Sequence, residues 1–179
     1  MSTYANRGMG FESLLDFSNQ LYERNGVAVI NKRPTPVKVT KSSGNRILAG
    51  YFERASTVDY DGSYRGRAIA FEAKSVKSLE RFELKNLHEH QFDYLQRSEE
   101  VGGAIAFLLV EFTKHGTTFL LPVQTLRTYW REYQKPGGKV RSIPLADFEI
   151  YAYEVRKGRY PVDYLSTVDR IWFPAAEAK

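Results

Sequence analysis

The alternation of apolar and polar positions between Ala68 and Lys74 predicts a β-strand with two unlike faces. The apolar face consists of Ile69, Phe71 and Ala73. The opposite face carries Glu72 and Lys74, two residues apart, with only alanines beside them. The strand therefore presents a carboxylate and an amine side by side.

The segment before this strand, Tyr60 to Gly66, contains an Asp-Gly pair and a second glycine, and predicts a hairpin turn. The strand that enters the turn would bring Asp59 next to Glu72 and Lys74. Two neighbouring carboxylates repel unless a cation lies between them, and hard oxygen ligands favour Mg²⁺. A nearby lysine can orient water, so the set indicates metal-assisted phosphodiester hydrolysis. The alternative is an exposed hairpin that carries an ordinary surface Glu and Lys.

The periodicity of the remaining chain predicts an α/β protein. Apolar spacings of three and four predict a first helix over Phe11 to Tyr22, closed by Asn25-Gly26, and a strand over Val27 to Ile30. The later elements are a helix from Leu87 to about Glu99 with Asn86 as N-cap, a buried hairpin of Ala104 to Phe112 and Thr117 to Leu121, a helix opened by Pro122, a strand from Pro144 to Tyr153 and a short helix around Val162 to Ile171.

Polar residues on two of these helices are candidates for a site. Glu12 lies at the flank of the first apolar stripe, where it either faces a site or complements the helix dipole. Gln91 lies within the stripe that faces the core, so its amide needs a partner, either at the site or on the backbone. His88 and His90 are two residues apart and do not share a helix face, which argues against a joint metal site.

The stretch from Arg24 to Phe52 contains no acidic residue. Alternation, a polar turn and a second alternating run predict an exposed basic β-ribbon here, and such ribbons bind nucleic-acid phosphates. The alternative is an edge hairpin kept soluble by its lysines. The candidate DNA contacts are Lys32, Arg33, Lys38, Lys41 and Arg46, with Arg7 ahead of the first helix.

Length and composition narrow the classes of function. At 179 residues we expect one domain over 1–179. The chain has no cysteine, which excludes a disulfide framework and a cysteine zinc site. Met1 to Gly10 lacks the apolar segment of a signal peptide and no apolar run is long enough for a bilayer, so we expect a cytoplasmic protein. A net charge of +5 and a pI of about 9.3 favour a polyanionic partner.

Several separated motifs occur in one order along the chain. They are Asn6-Arg7-Gly8-Met9 with Phe11-Glu12, Lys32-Arg33-Pro34-Thr35-Pro36, Ser56 to Gly62 with Tyr64-Arg65-Gly66, Phe71-Glu72-Ala73-Lys74 and Leu87 to Gln91. Together they resemble the RecU family of Holliday-junction resolvases, from about Asn6 to Leu121. The resemblance implies a restriction-endonuclease-like α/β fold, in which helices flank a mixed β-sheet and a basic ribbon, here about 34–50, protrudes as a stalk.

The resemblance also implies an activity and a site. The protein would be a Mg²⁺-dependent endonuclease, with Mn²⁺ as a substitute, that cuts four-way DNA junctions in pairs as a homodimer associated with the nucleoid. Recombination proteins are further candidate partners. Asp59 and Glu72 would hold the metal, Lys74 would position or deprotonate water, Glu12 would add a carboxylate and Gln91 would orient water or phosphate.

The chain departs from the family pattern in two places. Val58 stands where the general motif has proline, and the ribbon is a few residues shorter than expected, which puts strict junction selectivity in doubt. Two alternatives therefore stay open. One is a less selective nuclease of the same fold that acts on flaps or forks, and the other is a DNA-binding module without catalysis.

Overall fold

The computed structural model describes residues 10–53, 57–156 and 158–174, so the candidate DNA contact Arg7 lies outside the described residues. The helices are α1 (Phe11–Arg24), α2 (Glu89–Glu100), α3 (Val123–Gln134), α4 (Leu145–Tyr151) and α5 (Tyr164–Trp172). The strands are β1 (Ala28–Lys32), β2 (Val37–Ser43), β3 (Arg46–Phe52), β4 (Tyr60–Tyr64), β5 (Arg67–Val76), β6 (Arg81–Glu83), β7 (Ile105–Phe112), β8 (Thr117–Pro122), β9 (Ser142–Pro144) and β10 (Tyr153–Glu154).

A six-stranded sheet in the order β1-β4-β5-β7-β8-β10 forms the centre of the molecule. The pair β5 and β7 is parallel and its neighbours are antiparallel. Helices α1 and α5 cover one face, while α2, α3 and α4 cover the other. Because both faces are covered, β7 is a nearly continuous apolar run. The mixed sheet flanked by helices is therefore confirmed.

The hairpin predicted over Tyr60 to Gly66 joins β4 to β5, and its turn falls at Arg65 and Gly66. Both turn residues have positive φ, 49° and 77°, as a tight two-residue hairpin requires. Gly62 lies within β4 instead, where an added Cβ would stand 2.0 Å from the carbonyl oxygen of Val29. This glycine therefore permits close approach of two strands and does not make the turn.

The predicted alternation along β5 is confirmed. Ile69, Phe71 and Ala73 join the core beneath α1 and α5, whereas Ala70 joins the core beneath α2 and α3. Glu72 points to the same side as Ala70, since it bonds with Gln91 of α2. The strand thus carries its carboxylate on the face covered by α2.

The basic ribbon forms a separate two-stranded sheet of β2 and β3. Every residue of both strands is exposed, so the ribbon protrudes from the body as expected. Its two ends meet where the backbone N–H of Glu53 donates to the carbonyl oxygen of Pro36 at 3.0 Å. The turn at its tip uses Gly44, whose φ is 54°.

Two predicted elements were wrong in detail. The strand expected from Pro144 to Tyr153 is mostly the helix α4, because Phe148 turns inward onto the aromatic cluster around Phe82 and Phe112. Helix α2 is capped by His88 and not by Asn86, since Leu84–Asn86 forms a 3-10 turn first. Among the described residues, no helix combines the length and apolarity needed to cross a membrane.

Candidate active site

The two predicted carboxylates converge at the entrance to the β4–β5 hairpin. Tyr60 pairs with Phe71, so Asp59 comes opposite Glu72 and their side chains share a face. The backbone N–H of Asp59 donates to Oε2 of Glu72 at 3.0 Å, and that of Ala73 donates to Oδ2 of Asp59 at 3.1 Å. Besides burial, which has the larger effect, the nearby Asp59 carboxylate raises the pKa of Glu72. The hairpin therefore brings Asp59 and Glu72 together as the sequence predicted.

Glu72 is fully buried, and each of its oxygens has a donor. Nζ of Lys74 lies 2.6 Å from Oε1, and the amide of Gln91 donates to the same oxygen at 2.5 Å. Burial, followed by the charge of Asp59, raises the pKa of Glu72 to about 7, although Lys74 opposes the shift. A buried carboxyl group that titrates near neutral pH beside a charged partner is typical of functional sites.

The polar side chain of Gln91, which lies in the apolar stripe of α2, has two hydrogen-bond partners. The side chain is buried, and its carbonyl oxygen accepts the backbone N–H of His88 at 2.9 Å, which closes a capping box at the start of α2. Its amide reaches Glu72. Gln91 therefore satisfies the backbone and faces the candidate site at the same time.

Glu12 lies at the rim of the site, more than half exposed, and pairs with Lys32 at 2.7 Å. The bond from Glu12 is the largest cause of the raised pKa of Lys32, with smaller contributions from Asp16 and Asp59. Lys32 thus lies among three carboxylates. Within the described part of the chain, no hydrogen bond joins Glu12 to Asp59 or Glu72. Lys32, a candidate DNA contact, is an internal ion-pair partner in this structure.

Sequence reasoning missed Asp16 and Tyr60. The hydroxyl of Tyr60 donates to Oδ1 of Asp16 at 2.7 Å, and Asp16 stands 3.7 Å from Lys32. Asp16 follows Glu12 by four residues and so shares its helix face, and this spacing was the signal available in the sequence.

Arg33 anchors the base of the ribbon. Its guanidinium donates to Asp61 at 2.7 Å and to Thr57 at 2.6 Å, and it lies 5.1 Å from the centre of the Tyr94 ring. Its backbone N–H donates to the carbonyl oxygen of Asp59 at 2.8 Å. The ribbon is therefore fastened directly to the segment that carries Asp59.

The ribbon cations Lys38, Lys41 and Arg46 differ from Lys32 and Arg33. All three are exposed, and no carboxylate of the described residues lies within ion-pair distance of them. They remain available to an external polyanion.

The carboxylate pair supplies oxygen donors, which suit a hard divalent cation. No group of three or more histidine, cysteine or acidic side chains within the described ranges could enclose a metal ion. His88 and His90 instead stack with ring centres 5.5 Å apart. Mg²⁺ needs only one or two carboxylates, because it keeps water molecules and substrate oxygens as its other ligands. Asp59 and Glu72 satisfy that requirement.

The fold and the site define a mixed α/β protein in which a carboxylate pair and a lysine share one end of a hairpin. A family model described as Recombination protein U, RecU, matches residues 6–170. The chain belongs to the RecU family, and the match extends well beyond Leu121, where the motif resemblance ended.

Named relatives agree with this assignment. The Holliday junction resolvase RecU of Geobacillus sp. (strain WCH70) is 42% identical, over 95% of this chain and 86% of that protein. The protein of the same name from Pediococcus pentosaceus is 41% identical, over 94% of this chain and 85% of that protein. Among solved structures, Archaeoglobus fulgidus Hjc, a Holliday junction resolvase, aligns with a TM-score of 0.43 and 14% identity, over 76% of this chain and 92% of that one.

Proposed function

We propose that this chain is a structure-selective DNA endonuclease that resolves Holliday junctions by paired, symmetric, Mg²⁺-dependent cuts. Membership of the RecU family and the names of the relatives support junction resolution. The observation that carries the chemistry is the convergence of Asp59, Glu72 and Lys74 on one face of the β4–β5 hairpin. Mn²⁺ would substitute for Mg²⁺ because it accepts the same oxygen ligands.

Asp59 and Glu72 are the residues that would hold the divalent ion. When bound, that ion would stabilise charge on the scissile phosphate and favour attack by water. The chain's own part is to aim the two carboxylates, which the backbone N–H groups of Asp59 and Ala73 do by donating to Glu72 and Asp59 respectively.

We assign to Lys74 the role of positioning the attacking water. Its side chain is about one-fifth exposed and its ammonium touches Glu72, so it borders both the carboxylate pair and the solvent. From there its positive charge would orient the attacking water and favour loss of the water proton to solvent. Gln91 holds the Glu72 carboxylate in place, and Glu12 would supply a further carboxylate at the rim.

We propose that the ribbon reads the shape and phosphates of the branch point, not its base sequence. The unpaired charges of Lys38, Lys41 and Arg46 support this contact. The complete chain would act as one domain, 1–179, from which the ribbon protrudes, and the enzyme would work at the nucleoid.

A twofold homodimer would give the two cuts. Two like strands of a four-way junction must be cut, and one site per subunit does so by symmetry. The ribbon also exposes large apolar side chains, with Ile47 61% and Phe52 75% exposed, which favours a partner surface there.

The experiment is cleavage of a synthetic four-way junction with and without Mg²⁺, with flaps and forks as parallel substrates. Asp59→Asn and Glu72→Gln should bind the junction within a few-fold of the wild type but cut it at least about 10³-fold more slowly. Asp93→Asn, an exposed acid on α2, is the matched control and should cut normally. If either site variant cuts at the wild-type rate, the assignment of the site is wrong.

A further inference from the structure

A groove of about 540 Å³ lies where the start of α2 meets the C-terminal half of α3. Trp130, which is buried, contributes to its inner wall. Lys85, His88, Tyr133 and Arg141 surround it. The groove is therefore polar and basic at its edge and aromatic within.

The groove adjoins the candidate active site through the first turn of α2. His88 borders the groove, and its backbone N–H bonds to Gln91, whose amide holds Glu72. One helical turn advances about 5.4 Å, and a DNA strand rises about 3.4 Å per nucleotide. One turn thus corresponds to about one to two nucleotides, so a strand that leaves the site would reach the groove within a few nucleotides of the cut.

The two ends of the α2–α3 pair differ in charge. At the far end, Arg127 pairs with Glu99 at 2.8 Å and with Glu100 at 3.1 Å. At the groove end, no carboxylate of the described residues pairs with Lys85 or Arg141. The guanidinium of Arg141 donates to the carbonyl oxygens of Tyr133 at 3.4 Å and Val140 at 3.5 Å, and it lies 5.6 Å from the centre of the Tyr133 ring. Arg127 is thus neutralised by carboxylates at one end, whereas Lys85 and Arg141 at the other end have no carboxylate partner among the described residues, although Lys135 nearby pairs with Glu132.

An excess of positive charge is not a general property of this chain. The acid-free stretch from Arg24 to Phe52 holds six cations, whereas the whole chain has a net charge of +5, so the rest of the chain is slightly acidic. The loop Lys135 to Arg141 also lacks acids and adds the exposed Lys139 beside the groove. Among the described residues that line the groove, Glu89 is the acidic one.

We propose that this groove is a second DNA contact, which holds the backbone of one junction arm next to the cut. Lys85 and Arg141 bind phosphates, and the ring of Tyr133 packs against the adjoining sugar or base. The contact deepens the proposed function and rests on it, and it lies apart from the contact of the ribbon with the branch point. Its effect is to align the arm so that the scissile phosphate enters the site.

The test uses the full-length double variant Lys85→Ala/Arg141→Ala, with junction binding measured against salt in the absence of divalent metal. Affinity should fall about 5- to 50-fold. The slope of log affinity against log salt should become shallower by the amount that corresponds to the loss of about one to two phosphate contacts. Arg97→Ala/Lys114→Ala is the matched control, since both side chains are exposed and lie away from the groove. That control, and the charge-preserving Lys85→Arg/Arg141→Lys, should keep most of the wild-type affinity.

A phosphate scan then locates the contact on the DNA. Neutral methylphosphonates, introduced singly, should weaken wild-type binding within a few nucleotides of the cut, and should have no further effect there on the double variant. Both proteins should stay sensitive at the branch point. A double variant with wild-type affinity and salt slope, or with wild-type sensitivity beside the cut, overturns this inference alone. A wild type that neither binds nor cuts junctions overturns the proposed function as well.

Discussion

Gln91 joins the start of α2 to the carboxylate of Glu72. Its amide donates to Oε1 of Glu72 at 2.5 Å, and its carbonyl oxygen accepts the backbone N–H of His88 at 2.9 Å. Since Glu72 is fully buried, loss of this donor leaves one oxygen with Lys74 alone. The helix cap and the candidate metal ligand therefore depend on the same side chain.

Gln91→Ala should lower the free energy of unfolding by about 1–3 kcal/mol, because it removes both a helix cap and a bond to a buried carboxyl group. Urea denaturation measures the change. Gln96→Ala is the control on the same helix. Among the described residues, the side chain of Gln96 bonds to Glu100 alone, at the surface, so its loss should cost less than about 0.5 kcal/mol. Equal effects of the two substitutions would show that Gln91 has no special role.

The raised pKa of Glu72 predicts a pH-dependent stability of the metal-free protein. The pKa rises from an ordinary 4.5 to about 7 on folding, first because of burial. The corresponding stabilisation is complete below about pH 4.5 and is lost as pH rises through about 7. Glu72→Gln should therefore make the free energy of unfolding less dependent on pH between about pH 5 and pH 8. Relative to the wild type, the variant should gain about 1–3 kcal/mol of stability on going from about pH 5 to about pH 8.

Thermal unfolding in EDTA at several pH values measures this effect. Mg²⁺ should restore the stability of the wild type at alkaline pH, because it replaces the proton between the carboxylates, and it should not stabilise Glu72→Gln. Glu12→Gln, at an exposed rim position, should keep the wild-type slope. Identical slopes for the wild type and Glu72→Gln would contradict the assigned pKa.

Lys74→Ala should slow cleavage by about 10²- to 10⁴-fold and leave junction binding almost unchanged. Lys74 also opposes the rise in the pKa of Glu72, so its removal should move the rising limb of the pH–rate profile to higher pH. Single-turnover cleavage across pH measures both effects. Lys77→Ala, an exposed lysine close by, is the control, and a variant at Lys74 with an unshifted profile would argue for a purely structural role.

A triple alanine variant of the ribbon cations Lys38, Lys41 and Arg46 should bind the junction about 10- to 100-fold more weakly. The slope of log affinity against log salt should become shallower by the equivalent of about two to three phosphate contacts. The free charges of these side chains are the physical reason. The corresponding exchanges of Lys for Arg and Arg for Lys should restore both quantities. Unchanged affinity and salt slope after removal of all three charges would exclude the ribbon from the DNA interface.

Local patterns predicted the part of the site that lies on one hairpin. Period-two alternation placed Glu72 and Lys74 on one face, and pairing of neighbouring strands brought Asp59 opposite. The partnership of Gln91 with Glu72 needed the docking of α2 on the sheet, which local spacing could only suggest. The bond between Tyr60 and Asp16 likewise depends on how α1 lies against β4.

The details that the sequence did not settle have a common cause, which is that one residue type can serve more than one purpose. The turn predicted over Tyr60 to Gly66 uses Arg65 and Gly66, whereas Gly62 in the same segment serves the close approach of β1. The sequence of α4 alternates as a strand would, but the segment is helical and buries Phe148 in an aromatic cluster. Arg33 stays a predicted DNA contact, and in this structure its guanidinium also bonds to Asp61 and Thr57.

The ribbon is joined to the body at its base and shares no strand pairing with the six-stranded sheet. Lengthening a flexible tip costs only about 0.6 kcal/mol for each doubling of the loop. Its reach can therefore change over evolution, or by engineering around Gly44 and Asn45, while Asp59 and Glu72 keep their positions. The breadth of DNA shapes that such an enzyme accepts would then be adjustable independently of its chemistry.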